Sequence, residues 1–294
     1  MSRIAYVDGR YVPHADAAVH VEDRGYQFAD GVYEVIGVHR GRLFDAEPHL
    51  DRLDRSLDEL RIAAPMGRRA MRVVLAEMLR RNRITGAGAV YLQVTRGVAP
   101  RAHAFPARAR PVLVMTARSM PPFDPKAARR GVAVVTMPDI RWGRCDIKSV
   151  SLLANVLGKQ SAIEAGAFDA WMVDDTRTIT EGTASNAWIV TRKGELITRQ
   201  PDHAILNGIT RRAVLALAAE LGIKLVERPF TVAQAKKATE AFLTSTTSMV
   251  KPVVRIDGTK IGSGRIGPLT ARLVEFYARH LDDEADAQAP DHRP

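Results

Sequence analysis

The sequence predicts an α/β fold of two domains, each with its own mixed sheet and helices. Three observations carry this. Period-2 and period-3.6 patterns interleave in both halves of the 294-residue chain. Turn pairs of the hairpin kind, Asp8-Gly9 early and Asp257-Gly258 late, place antiparallel strands in each half. No G-x-G-x-x-G follows a strand, so a doubly wound parallel sheet binding a dinucleotide has no support.

Each element follows in order. IAYVDGRYV reads as a hairpin about Asp8-Gly9, and GVYEVIGVHRGRLF alternates about Gly41. The period then changes: Leu50, Leu53, Leu57 and Leu60 form the stripe of an amphipathic helix over residues 47–61. A second helix spans 66–82, with strands near 88–96 and 111–117, and residues 1–118 make an N-terminal domain. SMPPFDPKAARRG, residues 119–131, has proline without periodicity and reads as a linker. The C-terminal domain, 132–281, opens with the strand VAVVTMPDI. SLLANVLGKQSAIEAG follows as a helix with Leu152, Val156 and Ile163 inward and Gly166 ending it. Strands near 169–174 and 186–198, the latter turning at Lys193-Gly194, precede the helix GITRRAVLALAAELGI. AFLTSTTS is a strand entering a polar turn, RIDGTKIG a hairpin, and 267–281 a last helix. The tail 282–294 is polar and reads as disordered.

Composition narrows the function classes. A hydrophobic content of 46% supplies a substantial core. No apolar run is long enough to span a bilayer, and the N-terminus lacks a signal-peptide core. The single cysteine, Cys145, fits a reducing cytoplasm, and its thiol reads as buried and inert rather than nucleophilic. The formal charge of +10 suits polyanions, but the arginines are scattered, aromatics are only 6%, and no nucleic-acid motif accompanies them. Small anionic substrates suit such a surface equally.

Several polar groups interrupt apolar segments. DIKSVSLLANVLGKQ sets Lys148 between a strand and a helix, whereas Lys159 lies well along that helix where a solvated charge is usual. TITEGTASN carries Glu181, either a solvated turn carboxylate or an acidic partner. LNGITRR starts a helix with Gly208 before it and Thr210 in its first turn, either an ordinary cap or an anion site. The hydroxyls of TSTTS bind phosphate or merely form turns. At about 100° per residue Arg52 falls roughly 120° from the centre of the leucine stripe, able to turn inward, and Arg55 falls about opposite it. TRGVAPRAHAF holds Arg101 and His103, a carboxylate fork with a second donor or an exposed basic loop. No zinc spacing, nucleophile elbow or Walker loop is present, so no metal is expected. A lysine, a phosphate-sized anion site, an acidic partner and a carboxylate trap are together what pyridoxal phosphate needs.

In order along the chain, EDRGYQFADGVYEV, HLDRL, VTRGVAPRAH, IRWGRCDIKS, TITEGTASN, LNGITR and TSTTS resemble the D-amino-acid aminotransferases, within the fold-type IV pyridoxal phosphate enzymes. The resemblance covers nearly the whole chain. DIKS, TEG and GITR are shared with branched-chain aminotransferases and aminodeoxychorismate lyases, while the R-A-H loop and the DRGYQF–DGVYEV segment mark the D-amino-acid branch. It implies a two-domain fold with the cofactor at the domain interface, and a homodimer in which one subunit supplies the substrate loop to the other. Lys148 would form the Schiff base and shuttle the Cα proton. Glu181 would pair with the pyridine nitrogen, and Leu206 would pack on the ring. Arg52, the amides of Ile209 and Thr210, Ser245 and Thr246 would receive the phosphate. Tyr33, Arg101 and His103 would hold the carboxylate of a D-amino acid, typically D-alanine, with 2-oxoglutarate as acceptor. Thr183-Ala184-Ser185 departs from the family's serine run, which removes a middle hydroxyl.

Overall fold

The computed structural model describes residues 3–288. Its contacts divide into two compact units: Met1–Pro122 with Ile147–Ser151 and Asp282–Pro294, and Phe123–Asp146 with Leu152–Leu281. The short segment carrying Lys148 thus belongs to the first unit, not to the C-terminal domain where the sequence placed it.

The first unit contains β1 (Ile4–Val7), β2 (Arg10–Pro13), α1 (Arg24–Phe28), β3 (Gly31–His39), β4 (Arg42–Leu43), α2 (Ala46–Glu59), α3 (Arg68–Arg81), β5 (Gly88–Thr95) and β6 (Val112–Ser119). The β1–β2 turn has φ of 41° at Asp8 and 91° at Gly9, a left-handed pair that Asp-Gly adopts readily. Among the described residues the strands form one sheet in the order β2-β1-β6-β5-β3-β4, antiparallel throughout. Val32, Ile36, Leu92, Val94 and Met115 on one face pack against Leu50, Leu53 and Leu57 of α2 and Leu75 and Met78 of α3. Alternation along β3 puts Glu34 on this core face and Tyr33 on the other, opposite Gln93 of β5. Ile147 enters the same core, and the Tyr33 N–H donates to the Lys148 carbonyl at 3.0 Å while the Val150 N–H donates to Gly31 at 3.0 Å. These contacts explain why residues 147–151 travel with the first unit.

The second unit contains α4 (Pro125–Ala128), β7 (Val132–Pro138), α5 (Leu153–Glu164), β8 (Asp169–Val173), β9 (Thr178–Gly182), β10 (Asn186–Val190), β11 (Leu196–Thr198), α6 (Ile209–Glu220), β12 (Leu225–Glu227), β13 (Phe230–Thr231), α7 (Val232–Lys236), β14 (Glu240–Ser245), β15 (Met249–Ile256) and β16 (Thr259–Lys260). A last helix, α8 (Pro268–Ala287), follows. The described strands form one mixed sheet, β12-β11-β10-β14-β15-β7-β8-β9-β13, with β16 beside β15. Pairs β7–β8, β7–β15 and β11–β12 are parallel.

Three expectations are corrected. Val156 and Ile163 do not point inward on α5: they are 59% and 57% exposed, with Leu153 and Leu157 beside them, and Leu152 is only half-buried. The inward face is Gly158 and Ala162, whose small size lets the helix sit close to the sheet; a Cβ at Gly158 would lie 2.6 Å from Met137 Sδ. The polar run around Glu181 is not a turn but the buried strand β9, whose β-branched threonines suit a pleated, half-polar environment. The tail is helical to Ala287 rather than disordered. Asp282 pairs with His39 at 2.7 Å and Arg40 at 3.0 Å, and Glu284 accepts from the Asp45 N–H at 2.8 Å, so it is tied to the β3–β4 hairpin. The rest of that predicted tail, 289–294, lies outside the described residues.

Candidate active site

In the first unit Lys148 lies in the irregular segment between β7 and α5 rather than directly at a strand end. Its N–H donates to Ser56 Oγ at 3.3 Å, and Nζ stands 4.2 Å from the centre of the Tyr33 ring. Among the described residues the amine meets no carboxylate. Lys159, by contrast, donates to the Phe168 carbonyl and lies on its ring. That ring, not its hydroxyl, is the Tyr33 group in contact with Lys148; it also faces Tyr91 at 5.7 Å, and burial pushes the Tyr91 hydroxyl up to about 12.

Arg52 turns inward as its flank position allows, and its side chain is 9% exposed. Its Nε and Nη2 reach the two oxygens of Glu34 at 2.7 and 2.8 Å, and His49 Nδ1 meets the same carboxylate at 2.7 Å. Burial alone would raise the Glu34 pKa, but the Arg52 charge and the hydrogen bonds from Arg52 and His49 outweigh it and bring it to about 2. Burial also lowers the His49 pKa, against the pull of Glu34. Arg55 is the exposed member, 3.6 Å from Glu59 one turn on.

Arg101 and His103 lie together in the exposed loop after β5. Arg101 stands over the Phe28 ring at 4.6 Å and His103 meets the same ring edge-on at 5.5 Å. Within one chain neither makes a hydrogen bond, ion pair or ring contact with Tyr33 or Lys148 among the described residues.

In the second unit Glu181 is buried, 6% exposed, near the end of β9. Arg141 donates to its Oε1, Asn186 Nδ2 to its Oε2 at 3.0 Å, and the Leu206 N–H to both oxygens at 3.2 and 3.3 Å. Leu206 is therefore tied to the site through its backbone, and its carbonyl accepts from Asn186 at 2.9 Å. Arg141 is fixed in turn by Asp139, 2.7 and 2.9 Å from its fork, and by the Ala204 carbonyl at 3.0 Å. Burial alone would lower the Arg141 pKa, but Asp139 and Glu181 raise it. Burial pushes the Cys145 thiol up to about 11, so it is protonated at neutral pH, and it donates to the Trp142 carbonyl at 3.1 Å.

Ile209 and Thr210 open α6, and both are buried. Gly208 precedes them without a side-chain cap, so the first-turn amides are not turned onto a local hydroxyl or carboxylate. A Cβ at Gly208 would collide with Asn186 Oδ1, which ties this helix start to the Glu181 cluster. Asn186 is also paired across the sheet with Thr244, one residue before Ser245. Ser245 ends β14, and its Oγ accepts from the Ser248 N–H at 3.1 Å, with Thr246 next in the turn. The missing hydroxyl at Ala184 falls at an exposed position, while Thr183 and Ser185 both donate to buried Asp169.

Sequence reasoning passed over Glu34, His49, Arg141 and Asn186. Each lay inside a recognised motif, and the available signal was a charged or amide side chain flanked by residues destined for the core.

The chain matches the family described as Amino-transferase class IV over residues 31–256. It is 44% identical over 267 residues to the D-alanine aminotransferase of Bacillus licheniformis, covering 90% of this chain and 93% of that one. With the D-alanine aminotransferase of Listeria monocytogenes it shares 40% identity over 278 residues, 94% and 95% of the two chains. The solved branched-chain aminotransferase of Thermoproteus uzoniensis superposes with a TM-score of 0.86 at 25% identity, covering 97% of each chain. These matches run through both units, and the chain belongs to the class IV aminotransferases, in their D-amino-acid aminotransferase branch.

Proposed function

We propose that Lys148 is the amine through which this chain transfers amino groups between a D-amino acid, D-alanine foremost, and a 2-oxo acid such as 2-oxoglutarate, giving pyruvate and D-glutamate. The observation that carries this is the Lys148 amine over the Tyr33 ring with no carboxylate partner among the described residues. Pyridoxal 5′-phosphate is the cofactor, and when bound it supplies the electron sink that lets a substrate Cα–H bond break. The donor set fits it. Glu181 offers a buried, pre-oriented carboxylate to the pyridine nitrogen. In the second unit the Ile209 and Thr210 amides and the Ser245 and Thr246 hydroxyls would offer a phosphate both helix-dipole and hydrogen-bond donors, and Leu206 would pack on the ring; in the first unit Arg52 would offer its guanidinium to an anion.

The chain's own residues do the rest. Lys148 would hold the cofactor covalently, and its amine would carry the proton at Cα. Glu34 fixes the plane of Arg52, and Arg141 and Asn186 fix Glu181, so neither must be ordered when the ligand arrives. Arg101 and His103 take the substrate carboxylate, with the Tyr33 hydroxyl assisting. Their lack of contact with Tyr33 and Lys148 in one chain supports delivery of this loop by the neighbouring subunit of a homodimer. So does the outward apolar face of α5, Leu153, Val156, Leu157 and Ile163, a surface of the kind that a partner covers. The single cysteine supports a reducing, cytoplasmic setting.

Two experiments test this reading. Arg101→Ala is expected to raise KM for D-alanine by about a hundredfold, as loss of a charged anchor does, with the visible spectrum unchanged; activity on L-leucine and none on D-alanine in the parent protein would sink the assignment. Leu157→Arg places a charge in the outward α5 face and is expected to convert a dimeric species to monomer in sedimentation velocity, with loss of turnover. An unchanged sedimentation coefficient would remove α5 from the interface.

A further inference from the structure

The α1 segment does something that its motif alone does not explain. Arg24 is 3% exposed, and its guanidinium reaches the backbone of the R-A-H loop: Nη1 donates to the carbonyls of Ala102 at 2.6 Å and Ala104 at 3.4 Å, and Nη2 to that of His103 at 3.4 Å. Its Nε donates to Asp30 at 2.7 Å. The Phe28 ring, one helical turn on, carries Arg24 at 4.9 Å and also meets Arg101 and His103 at 4.6 and 5.5 Å. At the other end of the loop Arg96 grips both Asp30 oxygens at 2.7 and 3.0 Å, donates to the Leu60 and Arg61 carbonyls, and lies 3.7 Å from the Phe105 ring.

We propose that Arg24 and Phe28 are positioning residues for the substrate-carboxylate trap. Arg24 fixes the main chain of 102–104, and Phe28 is the common platform that sets the spacing of the Arg101 fork and the His103 ring. This rests on the reading of Arg101 and His103 as that trap. A long arginine in an exposed loop otherwise loses rotamer freedom on meeting the substrate, and a stacked one has less to lose. The charges are also sorted: Asp30 is engaged by Arg24 and Arg96, so Arg101 meets no carboxylate among the described residues and its charge is left for an incoming one.

The test uses the holoenzyme and two variants, Phe28→Leu and Arg24→Lys, each also made with Arg101→Ala and His103→Ala. Either single variant should raise KM for D-alanine between about ten- and a hundredfold, the range of a misplaced binding group, with kcat within about twofold and an unchanged visible spectrum. In the background lacking both trap side chains, Phe28→Leu should change kcat/KM by less than about twofold, because what it positions is gone. A Phe28→Leu effect of the same size in both backgrounds overturns the proposal, as does a lowered Tm with KM unchanged. If removing Arg101 and His103 leaves KM as it was, the trap reading fails and this inference with it. If that removal raises KM while Phe28→Leu and Arg24→Lys do not, only the positioning role fails.

Discussion

Lys148→Ala is expected to lower D-alanine transamination by at least about a thousandfold, while Lys159→Ala leaves it near the parental rate. The two lysines share a motif but not an environment. Lys159 is engaged by the Phe168 carbonyl and ring, whereas Lys148 has an aromatic face beneath it and no counterion among the described residues. In the proposed role, loss of Lys148 would remove both the covalent hold on the cofactor and the base at Cα, two separate contributions to the barrier. Spectroscopy separates them from misfolding. The parent protein should be yellow and lose its visible band on borohydride reduction, and the Lys148→Ala protein should show neither that band nor its reduction, with an unaltered far-UV spectrum. Turnover by Lys148→Ala within about tenfold of the parent would remove Lys148 from the chemistry and with it the assignment of the surrounding residues.

How much of this was legible in the sequence depends on what sets each feature. The hairpin at Asp8-Gly9 and the helix of the leucine stripe are local, fixed by turn chemistry and by a period the chain carries on its face, and they form where the pattern placed them. The α5 face is not local. Its apolar residues point outward because the face turned to Met137 and the sheet is the one carrying Gly158 and Ala162, which are small enough for a close approach, and hydrophobicity alone reads that helix backwards. The same limit applies to the site. Lys148, Glu181 and Gly208 stood out because each interrupts an apolar pattern. Glu34, His49, Arg141 and Asn186 did not, because their role is to satisfy a neighbour's charge or hydrogen bonds, and such pairings join residues far apart in sequence. Ala184 shows the reverse case: a departure from the family pattern that removes a middle hydroxyl falls at an exposed position between two hydroxyls that bond to Asp169.

Glu34→Gln is expected to destabilise the protein at pH 7 by about 3–5 kcal/mol, with the deficit narrowing in acid. The carboxylate is fully buried on the core face of β3, among Val32, Ile36 and the leucines of α2, and among the described residues its compensation is the Arg52 fork and His49. Glutamine keeps the shape but leaves the Arg52 guanidinium without its counterion in the same dry surroundings, the costly way to break a buried pair. The pH dependence follows from the sign of the shift. A carboxyl whose pKa falls from 4.5 to about 2 on folding stabilises the native state fully above its unfolded value and loses that contribution as pH falls from 4.5 toward 2. The whole shift is worth roughly 3 kcal/mol, of which about 2 is gone by pH 3. Urea unfolding of the parent and Glu34→Gln proteins at pH 7 and pH 3 measures this directly. Carboxylates common to both proteins act on both curves, so the difference between them reports Glu34. A gap as wide at pH 3 as at pH 7 would show that Glu34 is not held ionised by Arg52 and His49. The same variant tests the reach of the pair into function: with its orienting partner neutral, Arg52 should hold phosphate less firmly, so Glu34→Gln should need more added pyridoxal phosphate to saturate its visible band, while Arg55→Gln, out on the exposed side of α2, should need no more than the parent.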